Sequence, residues 1–414
     1  MSVLYNQAMN QIPARRLFDQ AIWLDSIERD FLHSGALRRL IFDEGLCGVT
    51  CTHSILAKAL TSSVDSAEAL AALGQKPGLD AKPRYQRLVI EDIQTVADCL
   101  QPVYARTKRR DGYVSFEVPP DLAHDTRGMF DEARYLWNAV GRDNLMITVP
   151  ATPEGIPVIT RLLSKGINVN VTLIFSQETY ARVAEAYLLG LEQLAARGRT
   201  IESVASVASV FVSSLDAAAD TAISVYLASS IQAAEWALFK SLRGNIALAS
   251  ATLIYHTYQT LFSGPRWDAL VQRGAMRQRV LWASTGTTEF TYRDMKCAEA
   301  LIGPDTVTAV PPSIFEAFRD RERPAHQLSD AVEHAKVVLR AFAQTGASLS
   351  EITDRLMEEE LRGLKKAFDQ LLVAVERQSN VDEPVQPNGL PGYSSRFVRE
   401  REKAATCFSS KVAR

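Results

Sequence analysis

Residues 144–180 read NLMITVPATPEGIPVITRLLSKGINVNVTLIFSQETY, and this stretch decides the fold. Two β-rich runs, residues 144–150 and 167–175, flank an intervening segment, and a long helical pattern follows at residues 177–197. Strands that alternate with helical patterns are the signature of βα units, in which the strands are parallel. The stretch therefore predicts two neighbouring strands of a parallel sheet.

The same alternation extends in both directions along the chain. Six more β-rich runs occur at residues 21–27, 48–53, 112–118, 204–213, 280–285 and 306–311. Further helical patterns follow at residues 131–140, 215–242 and 313–320. Eight strand-and-helix units in a chain of this length favour a closed barrel over an open sheet. We therefore predict an α/β protein with a (β/α)8 (TIM) barrel.

Additional helices and a tail are predicted outside the eight units. Helical periodicity occurs at residues 88–100, 331–343 and 349–376, and the last of these is expected to pack on the outside of the barrel. The pattern then stops, and VDEPVQPNGLPGYSS is rich in proline, glycine and serine. We assign residues 1–378 to the barrel and residues 379–414 to a tail whose composition is typical of disorder.

Composition limits the class of protein. The 414 residues are 47% apolar and carry a formal net charge of −2, which gives no strong field for nucleic acid or an anionic membrane. The chain shows no signal peptide and no apolar run of spanning length, and its five cysteines form no C-x-x-C pair. We expect a cytoplasmic protein with reduced thiols, and a second copy or another protein remains open as a partner.

Candidate site residues were sought where the strands end, because barrel proteins place functional side chains at the carboxyl ends of their strands. Asp25 and Glu117 end the first and third predicted strands and form a candidate proton-transfer pair. Spacing alone supports equally well two carboxyls that are only structural. The neighbouring strand ends add Thr50, Thr52, His53, Thr148, Asn170, Thr172, Ser209 and Ser284.

Ordered segments of the chain resemble the transaldolase family. They include IWLDSIERD at residues 22–30, GLCGVT at 45–50, PATPEGIPVI at 150–159, GINVNVTLIFS at 166–176 and SVASVFVSSLD at 206–216. The resemblance extends to LIGPDTVTAVPP at residues 301–312. It implies a barrel with an aldolase-type site that needs no metal or organic cofactor, and no metal-ligand spacing is visible.

The resemblance also implies roles for matching residues. Asp25 matches the aspartate that takes the proton from the hydroxyl at the breaking bond, and Glu117 matches the glutamate that acts through a water. The other matching polar positions are Asn170, Thr172, Ser209 and Ser284.

Four departures from the family pattern fall on the same site. The family's Schiff-base lysine is replaced by Thr148, whose hydroxyl cannot form an imine. The substrate-holding asparagine is replaced by Thr52, the phosphate-binding arginine by Ser213-Ser214, and a lysine after strand 7 by Thr288. Because charge-assisted phosphate contacts are among the stronger polar interactions, the usual sugar phosphates are poor candidate ligands.

Two side chains near Thr52 have different predicted directions. By the family register Thr50 and Thr52 face inward, so Cys51 faces away and is expected to be a buried structural thiol. His53 replaces a proline at the strand end and is a candidate new acid, base or hydrogen-bond donor at the pocket. The run Lys108-Arg109-Arg110 is expected to be a solvated loop.

Three functions follow from these residues. The first is a repurposed enzyme that performs acid–base chemistry, such as isomerisation, dehydration, cyclisation or condensation, on a non-phosphorylated carbonyl or hydroxyl compound in the barrel mouth. The second is an inactive relative that binds a metabolite or a protein. The third is residual transaldolase activity, which would need a relocated lysine, and none is predicted at a strand's carboxyl end.

Overall fold

Eight parallel strands close into a barrel in the order in which they occur in the chain, which confirms the predicted fold. The computed structural model describes residues 20–26, 29–53, 80–229, 233–283, 300–312, 315, 328 and 331–379. The strands are β1 (Ala21–Asp25), β2 (Gly48–Thr50), β3 (Tyr113–Glu117), β4 (Leu145–Pro150), β5 (Val169–Ile174), β6 (Ser206–Phe211), β7 (Arg279–Ala283) and β8 (Thr306–Val310). β8 pairs with β1 and closes the barrel.

Helices surround the barrel in the described ranges. They are α1 (Arg29–His33), α2 (Ala36–Asp43), α3 (Ala81–Arg106), α4 (Thr126–Val140), α5 (Gly155–Leu163), α6 (Gln177–Ala196), α7 (Ser213–Ser229), α8 (Ala233–Leu242), α9 (Ile246–Leu261), α10 (Pro265–Val271), α11 (Val332–Ala343) and α12 (Leu349–Ser379). A 3-10 turn, Pro120–Leu122, follows β3.

Several boundaries differ from those predicted. The helix predicted over residues 215–242 is described as α7 and α8, with residues 230–232 between them outside the described residues, and α9 was not predicted. Strand β2 ends at Thr50 rather than at residue 53, because the His53 backbone N–H donates to the Glu117 side chain rather than to a neighbouring strand. The predicted helix at residues 313–320 lies largely, and the tail after residue 379 wholly, outside the described residues.

The core has two parts. The larger lies between the sheet and the helices, and the smaller fills the amino-terminal half of the barrel interior, where Trp23, Met146, Val207 and Leu281 are buried. Gly48 is required beside this inner core, because a Cβ there would lie 2.5 Å from the Trp23 ring. An apolar inner core at the amino end leaves the carboxyl end for polar side chains.

Helix α12 reaches the carboxyl end of the barrel as well as its outer surface. It contacts α3 and α7, and also β5 and the 3-10 turn that follows β3. Phe368 of α12 is buried, whereas Val373 on the same helix is exposed. The sequence predicted this helix on the outside, and its contacts with β5 and the turn extend that prediction.

Within the described ranges, no helix combines the length and the apolar character that crossing a membrane requires. The same residues contain no cluster of three or more His, Cys, Asp or Glu side chains arranged to hold a metal ion. Cys47, Cys51 and Cys99 are free thiols.

Candidate active site

A chain of hydrogen bonds crosses the barrel interior from β6 to β2. The Ser209 hydroxyl donates to Asn170 Oδ1 over 2.7 Å, and Asn170 Nδ2 donates to the Ser115 hydroxyl over 3.2 Å. The Ser115 hydroxyl in turn donates to Thr50 Oγ1 over 2.9 Å. Every bond runs in the same direction, so the Thr50 hydroxyl ends the chain as an available donor. The structure thus brings together three of the predicted site residues, Thr50, Asn170 and Ser209.

Thr148 lies on β4 between the two halves of this network. It pairs in register with Glu117 on β3 and with Asn170 on β5. It is only 5% exposed, and its hydroxyl is buried without a hydrogen-bond partner. A buried polar group without a partner costs roughly 1–3 kcal/mol. The hydroxyl therefore makes no hydrogen bond that would stabilise the barrel.

Asp25 and Glu117 lie on β1 and β3, on either side of β2. Burial raises the pKa of Asp25 to about 7, and its Oδ1 has no hydrogen-bond partner although the residue as a whole keeps partial exposure. Burial also raises the pKa of Glu117 to about 7, and the nearby Asp25 charge adds to that rise. At neutral pH each carboxyl is partly protonated, so the pair can both accept and donate a proton.

The His53 side chain takes a different place from the one the sequence suggested. Its Nδ1 lies 2.8 Å from the Tyr85 hydroxyl, and its Nε2 lies 3.2 Å from the Val118 carbonyl. Its ring packs against the Phe368 ring, with 4.7 Å between the two ring centroids. Burial lowers the pKa of His53 to about 4, so the ring is neutral at neutral pH. With both nitrogens occupied by the protein, the imidazole supports the site and only its backbone N–H reaches a predicted catalytic residue, Glu117.

The prediction for Cys51 is confirmed. The side chain is 1% exposed and belongs to the core between the barrel and the helices. Burial, together with nearby acidic groups, raises the pKa of the thiol well above its usual value. A protonated buried thiol is a poor nucleophile, so Cys51 is a structural residue.

Of the remaining predicted residues, two are described by the structure, and both lie at or just beyond the end of a strand. Thr172 is buried at the carboxyl end of β5, where the pairing register shifts and Leu173 adopts a φ of 61°. Thr52 is half-buried just beyond β2. Ser284 and Thr288 lie outside the described residues.

Three supporting residues were missing from the predicted site. Ser115 faces the same side as Glu117, two positions later on β3, and this alternation was the signal that could have placed it in the hydrogen-bond chain. Tyr85 and Phe368, which hold His53, come from α3 and α12. No local pattern connects these two residues to the end of β2.

The structure describes seven lysines, all of which lie outside the barrel strands. Six of them are exposed: Lys108, Lys165, Lys240, Lys336, Lys365 and Lys366. The seventh, Lys82, is half-buried at the start of α3 and lies 3.9 Å from the Asp121 carboxylate. None of these seven is on a barrel strand.

The closed parallel barrel, with carboxyl, amide and hydroxyl groups gathered at the carboxyl ends of its strands, defines a (β/α)8-barrel protein with its site in the usual place for that fold. The family described as Transaldolase/Fructose-6-phosphate aldolase matches residues 22–375. The chain belongs to this family.

Individual relatives agree over nearly the whole length. A transaldolase of Thiobacillus denitrificans is 41% identical over 357 residues, which are 86% of this chain and 97% of the relative. A transaldolase of Thermobifida fusca is 40% identical over 369 residues, 88% of this chain and 98% of the relative. The similarity to transaldolase 2 of a Nostoc species is 35% over 381 residues, 91% of this chain and 100% of that protein.

Proposed function

We propose that this transaldolase-family protein is an enzyme that performs acid–base chemistry without a Schiff base. Its substrate is a non-phosphorylated compound that bears a carbonyl and hydroxyl groups, bound at the carboxyl-terminal mouth of the barrel. Isomerisation, dehydration, cyclisation and condensation all fall within this chemistry, and a specialised biosynthetic pathway would be a fitting setting.

One observation carries the proposal: two buried carboxyls with pKa values of about 7 accompany an unpartnered hydroxyl at position 148. A proton-transfer catalyst works best when its pKa lies near the operating pH. Threonine cannot form an imine, so a reaction at this site must manage without an iminium electron sink. Proton transfer at a carbonyl compound needs only groups that the site retains.

The proposed step for an isomerisation uses both carboxyls. The deprotonated member of the Asp25–Glu117 pair takes a proton from the carbon next to the carbonyl, and the protonated member donates its proton to the carbonyl oxygen. The Thr148 hydroxyl donates a hydrogen bond to the same oxygen as negative charge develops there. The carboxyl that took the carbon-bound proton then returns it to the former carbonyl carbon. The other carboxylate takes the proton of the hydroxyl on the adjacent carbon as the new carbonyl forms there, so both carboxyls return to their starting states.

The lack of a phosphate on the substrate rests on the start of α7. The phosphate-binding arginine that the family resemblance implies is replaced by Ser213-Ser214, at the first two positions of this helix. The Ser214 hydroxyl is buried without a hydrogen-bond partner. A neutral hydroxyl can bond a substrate hydroxyl, whereas it forfeits the charge-assisted contact that a phosphate would receive.

Hydrogen exchange in D2O tests the proposal with simple carbonyl compounds in place of the natural substrate. Dihydroxyacetone, D-glyceraldehyde and D-fructose are incubated with the full chain, and deuterium next to each carbonyl is measured by NMR. We expect deuterium exchange with at least one compound. The rate of exchange should be the same after the protein has been treated with that compound and borohydride. The double variant Asp25→Asn, Glu117→Gln should abolish the exchange. Glu91→Gln, at a side chain 57% exposed on α3, is the matched control and should keep the exchange.

Two outcomes would contradict the proposal. Absence of exchange with every compound, while the protein is folded, would favour a binding protein. Exchange lost on borohydride treatment would favour transaldolase-type chemistry, which the names of the relatives make the second candidate.

A further inference from the structure

A cavity of about 270 Å³ lies at the amino-terminal end of the barrel, opposite the site described above. Its walls include the beginnings of β3, β4, β6 and β7, and Met146 and Val207 of the inner core form part of its apolar lining. Thr148 follows Met146, and Ser209 follows Val207, at the next inward position of the same strands. A single layer of side chains therefore separates this cavity from the candidate active site.

The cavity is strongly basic. Its lining contains Lys108, Arg109, Arg110, Arg277 and Arg279. Among the described lining residues one carboxylate occurs, that of Asp305, which lies 2.8 Å from Arg110 Nη2 and 3.1 Å from Arg277 Nη1. A second carboxylate, from Asp111, lies 2.9 Å from Arg279 Nη1. These groups leave a net charge of +3, in a chain whose overall net charge is −2.

Two of the cations are available to a ligand. Among the described residues, Lys108 and Arg109 have no carboxylate within ion-pair distance, and both side chains line the cavity. Like-charged side chains gathered at a cavity repel one another unless an anion binds among them. Their position therefore favours an anionic ligand.

Arg279 belongs to the wall of the cavity and already has partners within the protein. The residue is 6% exposed, its Nη1 lies 2.9 Å from the Asp111 carboxylate, and its Nη2 donates to the Arg110 carbonyl. The contacts to an anion would therefore come chiefly from Lys108 and Arg109.

The convergence of the cations is produced by the fold. Lys108 and Arg109 follow α3 and both adopt left-handed backbone conformations, with φ values of 52° and 69°, which are unfavourable for residues other than glycine. Basic side chains after a helix also interact favourably with its carboxyl end. That interaction does not account for Arg277, which lies two residues before β7, or for Arg279, which begins that strand.

We infer that this cavity is a second binding site, which takes a small organic anion with two or more negative charges on phosphate or carboxylate groups. Its volume suits a compact metabolite, and its combination of cations with methionine and valine side chains suits a ligand with a short carbon skeleton. The inference is independent of the reaction proposed at the other end of the barrel.

Calorimetric titration of the full chain tests the site, with citrate and inorganic pyrophosphate as separate probes at roughly physiological ionic strength. We expect one equivalent of at least one probe to bind with a Kd of about 1 mM or lower. The double variant Lys108→Ala, Arg109→Ala should weaken binding by about tenfold or more, because it removes two charge-assisted contacts without leaving a carboxylate unpaired. Arg127→Ala, at a 92% exposed side chain on α4, is the matched control and should bind as the unaltered chain does.

The inference is overturned if neither probe binds to the folded protein, or if Arg127→Ala weakens binding as much as the double variant does. Glu117→Gln distinguishes this site from the active site. Binding of the anions should be unchanged in that variant, whereas carbonyl hydrogen exchange should be impaired.

Discussion

Thr148 combines two properties that are seldom found together, burial and an unpartnered hydroxyl. Thr152, four residues later, is the usual case: its buried hydroxyl donates to the Ala123 carbonyl over 2.8 Å and accepts from the Gly155 N–H over 3.0 Å. The comparison shows that the hydroxyl at position 148, unlike that of Thr152, makes no hydrogen bond that contributes to folding.

The first prediction contrasts these two threonines. Thr148→Val should raise the free energy of unfolding by about 1 kcal/mol, because an isosteric methyl group removes an unsatisfied hydroxyl. Thr152→Val should lower that free energy by roughly 1–2 kcal/mol, because it leaves a carbonyl and an N–H without their partner. Urea denaturation of the ligand-free proteins measures both changes, and destabilisation by Thr148→Val would show that the hydroxyl has a structural partner.

The second prediction concerns the pH dependence caused by Glu117. Because its folded pKa, about 7, exceeds its ordinary value of 4.5, the folded protein binds the proton more tightly than the unfolded chain. This carboxyl therefore contributes most stability at low pH, and the contribution is lost as pH rises from about 4.5 to about 7. Glu117→Gln should match the unaltered protein near pH ~4 and exceed its free energy of unfolding by on the order of 3 kcal/mol at pH ~8.

The quantity to measure is the difference in the free energy of unfolding between Glu117→Gln and the unaltered protein at each pH. This difference is needed because the titration of His53 changes stability with pH in the opposite direction. The folded pKa of His53, about 4, is below its ordinary value of 6.5, so its contribution is lost as pH falls through that interval. A difference between Glu117→Gln and the unaltered protein that does not change with pH would contradict the raised pKa of Glu117.

Sequence reasoning at the residue scale succeeded where strand alternation fixes direction. Thr50, Asn170 and Ser209 were predicted to face inward and do share one hydrogen-bond chain. It failed for His53, because alternation no longer constrains a residue once its strand has ended. The direction of that ring is set by Tyr85 and Phe368, which only tertiary packing brings to it.

At the scale of elements, α12 ties the end of β2 to the helical layer. The centroid of the Phe368 ring lies 4.7 Å from that of His53 and 5.7 Å from that of Tyr85, which belongs to α3. The His53 backbone N–H reaches Glu117, so this aromatic cluster supports one of the two proposed catalytic carboxyls.

The third prediction tests that support. Phe368→Ala should lower the free energy of unfolding by about 3–5 kcal/mol, since it removes a large buried side chain. Val373→Ala, at a position 46% exposed on the same helix, should change it by less than about 0.5 kcal/mol. Equal effects of the two substitutions, measured by urea denaturation, would show that α12 does not anchor the cluster.

The element boundaries show what a single sequence lacks. The helix α9, Ile246–Leu261, has no counterpart among the predicted elements, although its residues are largely apolar and mostly buried. The predicted strand at residues 167–175 is polar at Asn168, Asn170 and Thr172, but Asn168, which precedes β5, bonds backbone groups at the amino end of the barrel and takes no part in the site. Whether a polar residue of a strand can reach the site depends on its position along the barrel axis, at the amino end or at the carboxyl end.

For the whole molecule, counting strand-and-helix units was sufficient to predict the closed barrel, because eight such units have few other compact arrangements. The basic cavity could not be predicted in this way. Lys108-Arg109-Arg110 resembled a solvated loop, and barrel closure brings it beside Arg277 and Arg279. The two ends of the barrel thus carry different chemistry, with acidic and hydroxyl groups at one end and cations at the other.

We infer that this member of the transaldolase family does not use a Schiff base. The most direct test is to incubate the full chain with fructose 6-phosphate and sodium borohydride and then to determine the intact mass and map any modified peptide. We predict no adduct, because Thr148 cannot form an imine and no lysine of the described chain lies on a barrel strand. A stoichiometric adduct on a lysine that depends on the sugar would contradict the account.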